Sequence, residues 1–205
     1  MTRAALRRRA VAFDLGGVLI HWDPRLLFRK LLPSEERVER FLGTVCTGEW
    51  NHRLDAGLPL AQGIAERIAS FPHHEPLIRA YGERFGEMML PMPGSIALLH
   101  ELREKGIALF ALSNWNAETF ERTHALFPFL DAFDGLVISG QIGVAKPDPR
   151  IFQHLLETHR LEAEDVLFVD DRAANVEAGS AAGIAGVLFE GSALLRAEFV
   201  RRGLL

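Results

Sequence analysis

A chain of 205 residues, 48% hydrophobic and 24% charged, is long enough for one buried core plus a smaller appended unit, and too ordered in composition for extended disorder. Its net charge of -4 gives no electrostatic reason to expect nucleic acid as a partner, and its single cysteine, Cys46, excludes an internal disulfide, so nothing calls for an oxidising compartment. Arg3 and Arg7 to Arg9 resemble the charged part of an export signal, but Asp14 interrupts the short apolar run that follows, and no apolar stretch is long enough to span a bilayer. The expected setting is the cytoplasm, with no membrane partner.

Residues 10–15 form a short apolar run closed by Gly16 and Gly17, the pattern of a buried strand ending in a tight turn. Beyond it, residues 22–92 lack strand runs and read as helices broken by turns: 24–32, 34–45, a stretch around Trp50 ending at Gly57, 60–71 and 75–89. The strand pattern returns at 107–112, 136–138, 166–169 and 184–189, with amphipathic stretches between. A helix over 95–105 stops before Gly106. Asp148 and Pro149 supply an N-cap and a first helical position for a helix over 150–159.

Alternating strands and helices predict an α/β fold, a Rossmann-like parallel sheet flanked by helices. The strandless segment predicts a small helical cap inserted after the first strand. The expected division is a core of residues 1–21 and 93–205 and a cap of residues 22–92, with "PMPG" at 91–94 as the return hinge.

Polar groups stand where the apolar strands end: Asp14, then Ser113 and Asn114, then Lys146 in "GVAKPDP", then Asp170 and Asp171. In an open parallel sheet those ends share one crevice, so residues distant in sequence converge there. Singly, such residues cap helices, make turns or face solvent. Together they are the set that phosphoryl transfer through an aspartyl phosphate requires: a carboxylate nucleophile, a hydroxyl with neighbouring backbone donors, a lysine and a carboxylate pair. Two adjacent aspartates beside a third need a cation, and an all-oxygen donor set suits Mg2+.

The stretches "VAFDLGG", "LSN", "GVAKPDPRIF" and "VLFVDDRAANVEAG" occur in that order and resemble the four motifs of the haloacid dehalogenase superfamily along nearly the whole chain. The resemblance implies that Asp14 attacks phosphorus and ligates Mg2+, with the Gly16 carbonyl and Asp171 as further ligands and Asp170 close behind. It also implies that Ser113, the Asn114 amide and Lys146 hold phosphate oxygens of a small phosphorylated substrate. Phosphatases of this superfamily usually carry a second aspartate, the acid and base, two positions after the nucleophile; here that position is Gly16. The opening "FDLGGVLI" and the segment "GEWNHRLDAG" look most like the subgroup that includes bacterial α-D-glucose-1-phosphate phosphatases, which also have glycine there. A sugar phosphate is the implied substrate, read by a cap face holding Trp22, Trp50, Asn51, His52, Arg53 and Asp55. Packing anchors and a solvated helix face are the alternative readings of these residues. His21 and Asp23 are candidate replacement proton donors, although Asp23 before Pro24 also reads as a helix cap. The histidines, including the pairs His73 with His74 and His154 with His159, give no usable metal-ligand spacing.

Three rivals use similar parts. A 2-haloacid dehalogenase also lacks the second aspartate, but it needs no metal, and crowding Asp170 and Asp171 beside an anionic nucleophile would only raise its barrier. A phospho-receiver domain carries its acidic pair on the first strand, where this chain has the lone Asp14. A catalytically weak or silent phosphate-binding protein fits the missing acid but leaves Asp14, Lys146 and Asp171 without a task.

Overall fold

The computed structural model describes residues 10–205; the basic residues Arg3 and Arg7 to Arg9 lie outside them. In chain order the elements are β1 (Ala10–Phe13), β2 (Ile20–Trp22), α1 (Arg25–Leu31), α2 (Glu35–Thr44), α3 (Gly48–Asp55), α4 (Leu60–Ser70), α5 (Glu75–Glu83) and β3 (Met89–Pro91). There follow α6 (Pro93–Glu104), β4 (Ala108–Ser113), α7 (Ala117–Thr123), β5 (Gly135–Ile138), α8 (Ser139–Ile142) and α9 (Pro149–His159). The chain closes with β6 (Val166–Asp170), α10 (Ala173–Ala181), β7 (Ala185–Leu188) and α11 (Ser192–Arg201).

Five strands form one parallel sheet in the order β5-β4-β1-β6-β7. The central strand β1 is buried throughout and reads "AVAF", apolar on both faces as a strand covered on both sides must be. One layer of the core gathers Phe13, Leu99 and Phe199, and the opposite layer gathers Phe110, Phe152 and Phe168. Phe13 meets Phe199 edge-on at 6.1 Å, and Phe152 meets Phe168 at 5.3 Å. The register aligns Phe13 with both Ala111 and Val169, so Asp14, Ser113 and Asp170 emerge together at one end of the sheet. No helix among the described residues is long and apolar enough to cross a membrane.

Helices α1 to α5 lie between β2 and β3, and they pack around Phe28, Phe41, Trp50 and Tyr81. The expected helix over 75–89 is corrected here: α5 ends at Glu83, a 3-10 turn covers Phe85–Met88, and Met89–Pro91 is a strand. This strand pairs antiparallel with β2, aligning Trp22 with Met89 and Ile20 with Pro91. The strandless reading of 22–92 therefore missed a ribbon. The ribbon forms because the Met88 carbonyl accepts from Asp23 N–H (2.8 Å) and Met92 N–H donates to the Leu19 carbonyl (2.9 Å), satisfying groups that a continued helix would have bonded internally. The "PMPG" stretch is likewise divided, since Pro91 ends β3 while Pro93 and Gly94 open α6, where proline needs no N–H.

Candidate active site

Asp14 follows β1 directly. Its N–H donates to the Val169 carbonyl (2.8 Å), and its Oδ1 accepts from Leu15 N–H (2.7 Å). These bonds fix the carboxylate at the mouth of the sheet. The turn beyond requires glycine at one position for a steric reason. Gly17 has φ +78°, and a Cβ there would lie 2.2 Å from Asp171 Oδ2. At Gly16 a Cβ would meet nothing within 4 Å.

Lys146 lies at the centre of the charge arrangement and is 1% exposed. Its Nζ reaches Asp170 Oδ2 at 2.6 Å, Asp14 Oδ2 at 3.0 Å and the Leu112 carbonyl at 2.7 Å, which engages all three ammonium protons. The side-chain amide of Asn114 closes on the lysine's main chain: Nδ2 donates to Lys146 O (2.9 Å) and Oδ1 accepts from Lys146 N–H (2.8 Å). Sequence reasoning assigned only the Asn114 main-chain amide, so this clamp is new.

Asp170, the last residue of β6, is fully buried and saturated. Besides Lys146 it accepts from Arg172 N–H (2.8 Å) and from Asn175 Nδ2 at 3.0 and 3.1 Å. Asn175, absent from the sequence reading, projects from the first turn of α10 five residues on; the recurrence of polar residues within "VDDRAAN" was the signal available. Asp171 is exposed to the cavity. Carboxylate oxygens of Asp14, Asp170 and Asp171 lie within 4.8 Å of one another.

Burial is the largest influence on Asp14 and raises its pKa to about 7; Lys146 opposes the shift and the charge of Asp170 adds to it. Burial and then Asp170 also raise Asp171. Three carboxylates against Lys146 and Arg172, which also borders the cavity, leave surplus negative charge, and all the donors are hard oxygens. A divalent cation such as Mg2+ fits this set.

These groups open on a cavity of ≈ 610 Å³, which Asp14, Gly16, Ser113, Asn114, Lys146 and Asp171 line from the sheet side. Helix α3 contributes Asn51, His52 and Asp55, the 3-10 turn contributes Phe85, and β2 and β3 contribute Ile20, Trp22 and Met89. Trp115 and Asn175 also border it and were not anticipated. Asp55 is buried, which raises its pKa to about 7; its Oδ2 accepts from Asn51 Nδ2 (2.8 Å), whose Oδ1 is held by Tyr81 O–H (2.6 Å).

Two expected cap-face residues are corrected. Trp50 is 1% exposed and does not line the cavity: its ring packs on Tyr81 at 4.9 Å, and its Nε1 donates to the Gly63 carbonyl (3.3 Å). Arg53 faces solvent and pairs with Glu66 (2.9 Å). Both follow from helix phase, since 50 and 54 point into the helical unit while 51, 52 and 55 face the cavity. His21 and Asp23 do not line the cavity either. Asp23 accepts from Arg25 N–H (3.0 Å) and pairs with the Arg25 guanidinium (3.3 Å), the helix-capping alternative.

A family model described as haloacid dehalogenase-like hydrolase matches residues 8–183. A sesquiterpene phosphatase of Aspergillus oryzae is 29% identical over 182 residues, 87% of this chain and 88% of its own length. A phosphorylated carbohydrates phosphatase of Thermotoga maritima is 30% identical over 204 residues, 93% of this chain and 92% of its own. The fold matches, with TM-score 0.66 and 21% identity, that of a HAD family enzyme from Bacteroides thetaiotaomicron solved in complex with magnesium and inorganic phosphate; the match covers 88% of this chain and 93% of that one.

Proposed function

The chain belongs to the haloacid dehalogenase-like hydrolases, and from that premise we propose that it is a magnesium-dependent phosphatase acting on a small phosphorylated metabolite through an aspartyl phosphate at Asp14. One observation carries the reading: Asp14, Ser113, Lys146 and Asp171 converge on the same wall of one cavity from four separate segments of the chain. Two relatives named as phosphatases, each matched along most of both chains, support it.

In this reading Asp14, the Gly16 carbonyl and Asp171 hold Mg2+, with Asp170 behind them. When bound, the ion offsets the charge of the carboxylates and of an incoming phosphate, which lets Asp14 ionise below its metal-free pKa of about 7. An Asp14 carboxylate oxygen attacks phosphorus as the bond from phosphorus to the ester oxygen breaks, the leaving alkoxide or phenolate taking its proton from solvent; water then attacks phosphorus of the aspartyl phosphate, loses a proton to solvent, and displaces the Asp14 carboxylate as phosphate is released. Ser113 Oγ and the Asn114 N–H cradle the phosphoryl oxygens. Lys146 keeps its bond to Asp170 and exchanges its bond to Asp14 for a phosphate oxygen as Asp14 becomes covalently engaged. Asp170, saturated by Lys146, Asn175 and the Arg172 N–H, positions the lysine.

Residues 22–92 act as a cap whose cavity face reads the leaving group. A sugar phosphate is the leading class: Asn51, His52 and Asp55 put polar groups on that face, and the carbohydrate phosphatase relative spans nearly the whole chain. A 2-haloacid dehalogenase remains the poorer fit, because the acidic cluster has no use without a cation. The test is a screen of phosphorylated metabolites and a generic aryl phosphate, with and without magnesium. Magnesium-dependent phosphate release supports the proposal, and release of halide from a 2-haloacid without metal would replace it.

A further inference from the structure

The end of β4 and the loop beyond it, residues 113–116, carry the groups assigned above to phosphate, and the sheet holds only Ser113, which pairs with Ile138. Residues 114–116 are held by bonds to other segments of the chain. Asn116 Nδ2 donates to the carbonyls of Leu54 (3.2 Å) and Leu58 (3.3 Å), at the elbow where α3 ends. Trp115 N–H donates to Ser139 Oγ (3.0 Å), and the Trp115 carbonyl accepts from Gly140 N–H (3.0 Å). Ser139 opens α8 and is fully buried. Its hydroxyl has one proton, and that proton goes to the Asp55 carbonyl at 2.6 Å, while a lone pair receives Trp115. One oxygen therefore touches both the cap elbow and the loop, alongside the direct bonds that Asn116 makes to the Leu54 and Leu58 carbonyls and to the Asp55 carboxyl.

The surrounding backbone is packed to permit this. A Cβ at Gly140 would lie 2.4 Å from Ala117 N and 2.7 Å from the Trp115 carbonyl, and a Cβ at Gly57 would lie 3.0 Å from Gly143 Cα. Asp55 also borders the cavity, and its carboxyl accepts from Asn51 Nδ2 and from the Asn116 main chain. The same residue thus borders the leaving-group space and touches the relay with its carbonyl.

We propose that Ser139 is a positioning residue that couples the cap elbow, residues 54–58, to the phosphate-binding loop, residues 113–116, so that filling the phosphate pocket and seating the elbow are one event. The inference rests on reading that loop as the phosphate pocket. Replacing Ser139 by alanine leaves a buried N–H and a buried carbonyl unpaired at once.

Hydrogen exchange of the full chain, with magnesium and with or without inorganic phosphate, tests it. Phosphate should slow exchange in both 113–116 and 54–58 of the wild type. In Ser139→Ala, where only the Asn116 bonds still join elbow and loop, the slowing at 54–58 should shrink, and the inhibition constant of phosphate should rise about fivefold or more. A variant that melts earlier but keeps both the phosphate affinity and the elbow response confines Ser139 to packing and overturns the proposal. Slowing at 113–116 alone in the wild type overturns it too, even if the variant fails to fold. No slowing at 113–116 would instead remove the phosphate-pocket reading itself.

Discussion

The amide of Asn114 grips both main-chain groups of Lys146, donating to its carbonyl at 2.9 Å and accepting from its N–H at 2.8 Å, while the lysine's Nζ bridges Asp14 and Asp170. The aim of the ammonium group therefore depends on a neutral side chain at the end of β4. Asn114→Ala removes two hydrogen bonds worth about 1 kcal/mol each, so kcat/KM should fall about tenfold or more through misplacement of Lys146. Steady-state kinetics on folded variant checks this. Unchanged kcat/KM would mean that the Asp170 contact alone positions the lysine.

Gly16 and Gly17 should respond in opposite ways. Gly17→Ala drives a Cβ into the Asp171 carboxylate at a positive φ, and it should abolish activity. Gly16→Asp enters open space and restores an acid beside the phosphate. Without that acid an alkyl or sugar phosphate must expel a poorly stabilised alkoxide, whereas an aryl phosphate releases a phenolate. Gly16→Asp should therefore raise turnover of alkyl and sugar phosphates over aryl phosphates by about tenfold or more. Equal effects on both substrate types would show that another group already supplies the proton.

How these residues were legible differs from case to case. Asp14, Ser113, Asp170 and Asp171 could be brought together from sequence because a parallel sheet sends the ends of β1, β4 and β6 to one edge; Lys146, expected at a strand end, instead lies in the loop between α8 and α9 and reaches the same edge with its side chain. Helix phase was not legible around Trp50, since four consecutive side chains cover every side of a short helix, and only tertiary packing decides that 51, 52 and 55 face the cavity. The strands β2 and β3 were hidden because three residues each are too few to display an alternation. Ser139 was invisible because its role lies in hydrogen bonds to residues 84 and 24 positions away.

Trp50 and Arg53 should now separate. Trp50→Ala empties a buried aromatic site and should destabilise the protein by about 3–5 kcal/mol, lowering activity on all substrates alike. Arg53→Ala breaks an exposed pair and should change stability by less than about 1 kcal/mol. Thermal unfolding and a substrate panel read both. A reordered substrate ranking in either variant would return that residue to the recognition face.

The metal assignment predicts unequal aspartates. Asp171 is exposed to the cavity, so Asp171→Asn should weaken magnesium binding while leaving the fold intact. Asp170 is buried against Lys146, so Asp170→Asn should chiefly cost stability, leaving Lys146 short of a counter-charge. Magnesium titrations and melting curves on both variants decide; equal metal affinities would overturn the division of roles.

Burial raises the pKa of Asp55 from 3.8 to about 7. The native state then holds a proton that the unfolded chain releases, so this group's contribution to stability falls as pH rises from about 4 to about 7. Asp55→Asn should lack that loss. Denaturant unfolding of metal-free protein should show a wild-type decline across this window that is steeper than the variant's, by a few kcal/mol in order of magnitude. Parallel profiles would place the Asp55 carboxylate in a more solvated setting.

The central claim is that Asp14 carries the phosphoryl group, and trapping that group tests it most directly. Wild-type protein turning over an aryl phosphate with magnesium would be quenched in acid, reduced with borohydride and digested for peptide mass analysis. An aspartyl phosphate reduces to homoserine, and the account predicts homoserine at position 14, only with magnesium present and not in Asp14→Asn. Full turnover with no homoserine at that position, together with retained activity in Asp14→Asn, would contradict it.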